Sequence, residues 1–283
     1  MFTKELHRKY PGMSNFFQRT VTGIAIVTVI IGAVMVGAYS FLVLCFLINL
    51  LGLIEFYRLF QIHQHPVRRG LGVLLSATLF ITLCPYILGV VDPRVLLINL
   101  PLISIIYITE LYHKSDTPFS NLAFIFLGII YITIPIILFF SCAVGFSDKL
   151  YHPEIILGYL FLLWANDTGA FITGSLLGKH PLFERISPKK TWEGSAGGAI
   201  FVTGVVFINN LFFTEISLAG WAVIGATVII MGTFGDLVKS MMKRSLHVKD
   251  SGTILPGHGG ILDRFDSLIG SAPFVYASLI FQL

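Results

Sequence analysis

Most of the residues that could do chemistry lie in one polar stretch near the carboxyl end of the chain. It runs from Ser240 to Ser267 and reads SMMKRSLHVKDSGTILPGHGGILDRFDS. The segments before and after it, AVIGATVIIMGTFGDLV and LIGSAPFVYASLIFQL, are apolar. The stretch combines carboxylates that suit a metal ion, Lys and Arg that suit phosphates, and a glycine turn. This pattern indicates metal-assisted phosphate chemistry at the edge of a membrane.

Asp236 begins the polar pattern. It follows twenty residues without a formal charge, and a carboxylate within a membrane helix costs roughly 2.5–3.5 kcal/mol on insertion scales unless it has a partner. Lys239, Ser240 and Lys243 follow at i+3, i+4 and i+7, so one helix face carries all four side chains. We therefore expect Asp236 to belong to a functional site.

Two further aspartates lie beyond the turn. Asp263 and Asp266 are spaced to share one face at the start of the last helix, where the positive end of the helix dipole favours acids. The turn before them, residues 256–260, contains three glycines and lacks the bulk that would hold a phosphate away from backbone amides.

Composition identifies the protein class that must hold these residues. The 283 residues are 55% hydrophobic and 12% charged, with a mean hydropathy of +0.84, whereas soluble domains are normally about 25% charged. The chain is therefore an integral membrane protein. A net charge of +4 is too small for a nucleic-acid binder. Cys45, Cys84 and Cys142 stand singly in apolar runs and are predicted core residues.

The apolar runs predict an all-α polytopic membrane protein of about nine transmembrane helices. With the N-terminus cytoplasmic, seventeen of the nineteen Lys and Arg fall on the cytoplasmic side, leaving Arg94 and Lys149 opposite. We expect a multi-pass protein of the cell (inner) membrane whose site faces the cytoplasm. The predicted segments are 21–38, 40–60, 71–91, 94–110, 120–142, 154–178, 195–213, 217–242 and 266–283.

We interpret residues 1–283 as one domain. Residues 1–150 form a scaffold half, in which Glu55 is assigned a structural role, and residues 151–283 form a catalytic half with cytoplasmic loops 179–193 and 243–265. The polar pair Asn166 and Asp167 interrupts an apolar segment, so it faces a pocket or fixes helix packing.

Loop 179–193 carries the adjacent lysines Lys189 and Lys190 and is expected to form a short interfacial element. Ser187 would cap a helix with Pro188 at its first position, which leaves Lys189 and Lys190 near lipid headgroups. The alternative interpretation is ordinary positive-inside charge.

The sequence resembles the phosphatidate cytidylyltransferases, also called CDP-diacylglycerol synthases. The resemblance covers roughly residues 160–270, and Asn166-Asp167-Thr168 and the block from Ile186 to Gly194 also fit it. The family signature S-x-x-K-R, then K-D, P-x-H-G-G and D-R-x-D, is present here as Ser240, Lys243-Arg244, Lys249-Asp250, Pro256, His258-Gly259-Gly260, Asp263-Arg264 and Asp266.

The resemblance implies the reaction of CTP with phosphatidate to give CDP-diacylglycerol and pyrophosphate, together with a homodimeric assembly. The attacking lipid phosphate is already anionic, so charge neutralisation by Mg²⁺, Lys and Arg matters more than a side-chain nucleophile. We assign Asp236 and Asp263 as the leading metal ligands. Asp250 and Asp266 are second choices, either as extra ligands or as carboxylates that orient Lys249 and Arg264. A second metal ion is compatible with this pattern.

The remaining predicted site residues contact substrates. Lys189 and Lys190 would meet the lipid phosphate, and Asn166 and Asp167 would line the base or ribose side. His258 is assigned to phosphate or substrate contact, with metal ligation and base catalysis left as alternatives. The expected triphosphate ligands are Lys243, Arg244, Lys249 and Arg264, with the backbone of Gly259 and Gly260.

Two other functions are compatible with this pattern. A second CTP-using lipid enzyme, such as a polyprenol kinase or an isoprenoid-lipid cytidylyltransferase, would have a similar pocket. A transporter would also place carboxylates and lysines within helices, but near the midplane of the membrane. Here most charges cluster at one face.

Overall fold

The computed structural model describes residues 11–62, 67–114, 116–145, 149–248, 250–252, 254 and 259–282, without the side chains of residues 11–19. Within these ranges the chain forms nine helices and one small β-hairpin. The helices are α1 (Pro11–Val36), α2 (Ala38–Ile62), α3 (Arg69–Ile87), α4 (Pro93–Leu111), α5 (Pro118–Ser141), α6 (Pro153–Leu177), α7 (Trp192–Phe212), α8 (Leu218–Ser245) and α9 (Leu262–Ile280), and the strands are β1 (Pro181–Phe183) and β2 (Ser187–Thr191).

The predicted helical membrane fold is confirmed. Among the residues that the structure describes, seven helices, α2 to α8, are long and apolar enough to cross a membrane. The described apolar part of α1 is shorter, Thr20–Val36, and α9 carries three charged residues in its first two turns. The count of nine spans and the cytoplasmic N-terminus therefore stay predictions.

The helices pack around a continuous apolar core that extends through both halves of the chain. Helices α6 and α7 lie side by side, and α9 packs against α8 and the last turns of α5, residues 134–141. Buried polar groups on the scaffold helices bond to one another. For example, Asn49 donates to the Ser76 hydroxyl at 2.8 Å, and Ser76 lies 2.9 Å from the Thr133 hydroxyl.

The predicted helix start at Ser187 is wrong. Residues Ser187–Thr191 form the second strand of an antiparallel hairpin with Pro181–Phe183. A two-stranded hairpin consists of edge strands, where Pro188 is tolerated because its missing N–H need not pair. The helix cap lies four residues later, at Thr191, whose hydroxyl caps α7 by accepting from the Gly194 N–H at 3.1 Å.

Candidate active site

The second half of α8 is held unusually close to α9. A π-type turn, Val228–Gly232, precedes it, and such turns are frequent at functional sites. The two helices cross at Gly235 and Gly270, where a Cβ added to Gly235 would lie 2.8 Å from the Cα of Gly270. Small residues at a crossing let helix backbones approach closely. The crossing therefore brings the aspartates of α8 and α9 together.

Lys239 lies at the centre of these aspartates. Its ammonium group is 3.2 Å from Oδ1 of Asp236 and 3.3 Å from Oδ1 of Asp263, and it donates a hydrogen bond to Asp266. The Lys239 side chain is only 6% exposed. A buried ammonium requires charged partners of this kind, because desolvation of an unpaired ion is costly.

Two further lysines pair with different aspartates of this group. Lys190, from β2, lies 2.6 Å from Oδ2 of Asp236. Lys243, one turn beyond Lys239, donates to Oδ1 of Asp263 at 2.8 Å. We call these three aspartates and three lysines the acidic-lysine cluster; their formal charges balance. Its members are Lys190, Asp236, Lys239, Lys243, Asp263 and Asp266.

The loop before α9 closes against the same cluster. The Ser251 backbone N–H and hydroxyl both lie 3.0 Å from Oδ2 of Asp263. Gly259 has a φ of +89°, a conformation that favours glycine, and a Cβ there would lie 3.5 Å from the same oxygen. The predicted proximity of the glycine turn to the aspartates is therefore observed for Gly259.

Two cavities lie near the cluster, and members of the cluster line the first of them. A polar cavity of about 260 Å³ lies between α6, α7, α8 and the hairpin, and Lys189, Lys190 and Asp236 form part of its wall. A second cavity of about 240 Å³ lies between α1, α6 and α9 and is lined mainly by apolar residues, with Arg264 at its wall. Asp167 and Ser267 line both cavities.

The other predicted site residues lie around this centre. Asn166 is buried and lines the polar cavity. Arg244 donates to the Ile186 carbonyl at 3.4 Å, which joins the end of α8 to the hairpin loop. Asp250 is exposed on the loop, and Gly260 is buried beside Ser251. Lys249 and His258 lie outside the described residues.

Two residues of the site were not assigned a site role from the sequence. The i, i+3 spacing from Asp236 placed Lys239 on the right helix face, but spacing could not show that it meets three carboxylates. Glu55 was assigned to structure alone, yet it contacts the loop that carries the signature. No local sequence signal could have predicted that contact, because 196 residues separate Glu55 from Ser251.

Asp236 and Asp263 offer hard oxygen ligands of the kind that Mg²⁺ prefers. Within the described part of the chain, no group of three or more His, Cys, Asp or Glu side chains is arranged to hold a metal ion. Protein sites for Mg²⁺ usually supply one or two carboxylates and leave the other positions to water and substrate phosphates. The metal role of this pair stays a prediction.

Comparison with known proteins identifies the class. A family model described as the cytidylyltransferase family matches residues 17–281, and the chain belongs to that family. A phosphatidate cytidylyltransferase of Staphylococcus haemolyticus is 36% identical over 265 residues, which cover 93% of this chain and 98% of the relative. The protein of the same name from Staphylococcus aureus strain COL is 35% identical over 268 residues, with the same coverage of both chains.

Proposed function

We propose that the chain is a phosphatidate cytidylyltransferase, which transfers CMP from CTP to phosphatidate and releases pyrophosphate. The observation that carries this proposal is the acidic-lysine cluster near two cavities, one lined mainly by polar residues and one mainly by apolar residues. The similarity to relatives of that name along nearly their whole length supports it.

The cluster suits a reaction between two anions. An oxygen of the lipid phosphate attacks the α-phosphorus of CTP, the new phosphorus–oxygen bond forms, and the bond to the β-phosphate oxygen breaks. Pyrophosphate leaves with that electron pair, and no side-chain nucleophile is required. The site must reduce the repulsion between the two phosphates and stabilise the leaving group, which is the work of fixed cations.

The lysines divide this work by position. Lys190, with Lys189 beside it, faces the polar cavity and meets the lipid phosphate. Lys243 pairs with Asp263 instead of Asp236, next to Ser251 of the loop, and holds the triphosphate. Arg244, Lys249 and Arg264 complete the triphosphate site. Lys239 keeps the carboxylates between Lys190 and Lys243 at fixed separations.

A Mg²⁺ ion would be held by Asp236 and Asp263 together with substrate phosphates. When bound, it would neutralise phosphate charge and polarise the reacting phosphoryl group. Each of the two carboxylates already has lysine partners. We therefore expect metal binding to weaken at least one of these ion pairs as the lysines turn toward phosphates.

The apolar cavity is suited to the acyl chains of phosphatidate. Ile26, Val27 and Ile30 of α1 form one wall, and Leu160 and Leu163 of α6 form another. Since both cavities share Asp167, a lipid with its chains in the apolar cavity would present its phosphate toward Lys190. Asn166 and Asp167 then line the base or ribose side of the polar cavity.

We further propose that the site faces the cytoplasm and that the protein forms a homodimer in the cell membrane. The charge asymmetry of the loops supports the orientation. Both predicted cytoplasmic loops contribute to the cluster, with Lys190 from one and Lys243 and Asp263 from the other. Arg244 and Ile186 join the two loops directly.

Product analysis tests the proposed function. Purified protein in detergent, given phosphatidate, CTP and Mg²⁺, should form CDP-diacylglycerol and pyrophosphate in equal amounts, as followed by mass spectrometry and a pyrophosphate assay. Formation of CDP and a phosphorylated lipid without pyrophosphate would indicate a lipid kinase instead. Failure to consume CTP with any lipid phosphate would favour the transporter.

A further inference from the structure

Glu55 is a buried carboxylate of the scaffold half that reaches the signature loop. It lies in α2 and is 3% exposed. It accepts hydrogen bonds from the backbone N–H groups of Ile261 at 2.8 Å and Leu262 at 3.3 Å, and from the Ser251 hydroxyl. One side chain therefore satisfies three donors from a segment about two hundred residues away.

Two of these donors belong to the start of α9. The first N–H groups of a helix have no partner within it, and Ile261 at the cap position supplies no side-chain cap. A negative charge at this end is also favourable because the helix dipole is positive there. Glu55 thus caps α9 from a different helix and fixes where α9 begins, at Leu262, one residue before Asp263.

The third donor connects Glu55 to the cluster directly. The Ser251 hydroxyl lies between Glu55 and Asp263, at 3.0 Å from Oδ2 of Asp263, and the Ser251 N–H donates to the same oxygen at 3.0 Å. One residue of the loop is therefore held by both carboxylates. Displacing Glu55 would release Ser251 and the start of α9 together.

The loop also packs on Glu55 without intervening side chains. A Cβ added to Gly252 would lie 2.8 Å from Oε2 of Glu55, and one added to Gly260 would lie 2.6 Å from its carboxyl carbon. Both distances are too short for a real contact. Gly252 and Gly260 thus allow the loop backbone to approach the carboxylate closely.

We propose that Glu55 is a positioning residue for cytidylyl transfer, which holds the loop and the first turn of α9 so that Asp263 meets Lys239 and Lys243. It touches neither substrate and acts through Ser251 and the α9 backbone. This inference rests on the proposed function. The KM for CTP should change more than the KM for phosphatidate. Glu55 holds the loop and Asp263, which pairs with the proposed triphosphate ligand Lys243, whereas Lys190, the proposed ligand of the lipid phosphate, pairs with Asp236.

Glu55→Gln is the sharpest test, because glutamine keeps the size of the side chain. Its amide has one acceptor oxygen for three donors, and its NH₂ group would face one of those donors. We expect kcat per folded protein to fall about tenfold to hundredfold, as for residues that orient ligands. The KM for CTP should rise several-fold, while the KM for phosphatidate stays within twofold of wild type.

Hydrogen–deuterium exchange supplies a readout that needs no activity. Peptides covering residues 250–262 should exchange faster in Glu55→Gln than in wild type, while peptides from α6 and α7 are unchanged. The matched control is Glu110→Gln, another buried carboxylate of the scaffold half, which accepts from Asn121 at 2.8 Å. That control should leave both KM values and exchange at 250–262 unchanged.

Ser251→Ala provides a second variant if Glu55→Gln accumulates poorly. It removes the hydroxyl between Glu55 and Asp263 but leaves the cap of α9, so it should raise the KM for CTP with less change in exchange at 261–262. Equal kinetics in Glu55→Gln and Glu110→Gln, or unchanged exchange at 250–262, would overturn the positioning role. An inactive wild type would instead refute the proposed function, and the exchange result would still decide whether Glu55 holds the loop.

Discussion

The ammonium group of Lys190 lies 2.6 Å from Oδ2 of Asp236, and this pair joins the β-hairpin to α8. Lys189, its neighbour on the strand, is exposed and lines the same cavity. The two lysines thus offer a matched comparison between a cation that belongs to the acidic-lysine cluster and a neighbouring cation outside it.

For Lys190→Ala, we expect the KM for phosphatidate to rise more than the KM for CTP, because the lipid phosphate loses its nearest fixed cation. Lys189→Ala should give a smaller change of the same kind. Initial rates at varied concentrations of each substrate measure both constants. An unchanged lipid dependence in Lys190→Ala would leave Lys190 with a structural role only.

For Asp236→Asn, turnover should fall on the order of a hundredfold or more, as when a preorganised charged group is removed from a reacting centre. The protein should remain folded, since Lys239 keeps Asp263 and Asp266 as partners. CDP-diacylglycerol formation and gel filtration in detergent measure the two properties. Asp92→Asn, at an exposed site before α4, is the control. A near-normal rate in Asp236→Asn would exclude its catalytic role.

For Lys239→Met, we expect a loss of stability of about 3–5 kcal/mol, because three carboxylates would remain together without their shared cation. Thermal unfolding in detergent measures the change. Lys189→Met removes an exposed lysine and should stay within about 0.5 kcal/mol of wild type. Equal unfolding midpoints for the two variants would show that Lys239 does not hold the cluster together.

Chelation of divalent cations should abolish both CDP-diacylglycerol and pyrophosphate formation, and excess Mg²⁺ should restore them. The reason is that two carboxylates cannot neutralise phosphate charge without a cation between them. Assays with and without EDTA measure this. Pyrophosphate release that persists in EDTA would remove the metal from the proposed site.

For Ile26→Trp, the larger side chain would enter the apolar cavity of about 240 Å³. We expect the KM for phosphatidate to rise several-fold and the KM for CTP to stay unchanged. Leu97→Trp, at an exposed position in α4, is the control for the bulky side chain. If the two variants behave alike, acyl chains do not occupy this cavity.

The membrane fold could be predicted from the sequence because long apolar runs leave few alternatives to helices in a bilayer. The convergence of Asp236, Asp263 and Asp266 could also be predicted in outline, since helical spacing and loop position placed them near one another. The hairpin at Ser187–Thr191 could not, because its strands are only three and five residues long and the Ser187-Pro188 pair is typical of a helix start.

The contacts that the site residues make were harder to predict from the sequence. The contacts of Lys239 depend on how α8 crosses α9, and that crossing depends on Gly235 and Gly270, whose pairing no local pattern reveals. The contacts of Glu55 were harder still to predict, because a single carboxylate in an apolar helix has the same local sequence whether it caps a distant helix or not.

The balanced charge of the acidic-lysine cluster means that the protein carries its own counterions for the site. A nucleoside triphosphate that enters with a divalent cation brings both signs of charge. The lysines can then leave the carboxylates and bind the phosphates, while the carboxylates bind the cation. Binding would then proceed as an exchange of ionic partners within the protein. Such an exchange should depend less on ionic strength than the binding of a nucleotide to an uncompensated basic surface.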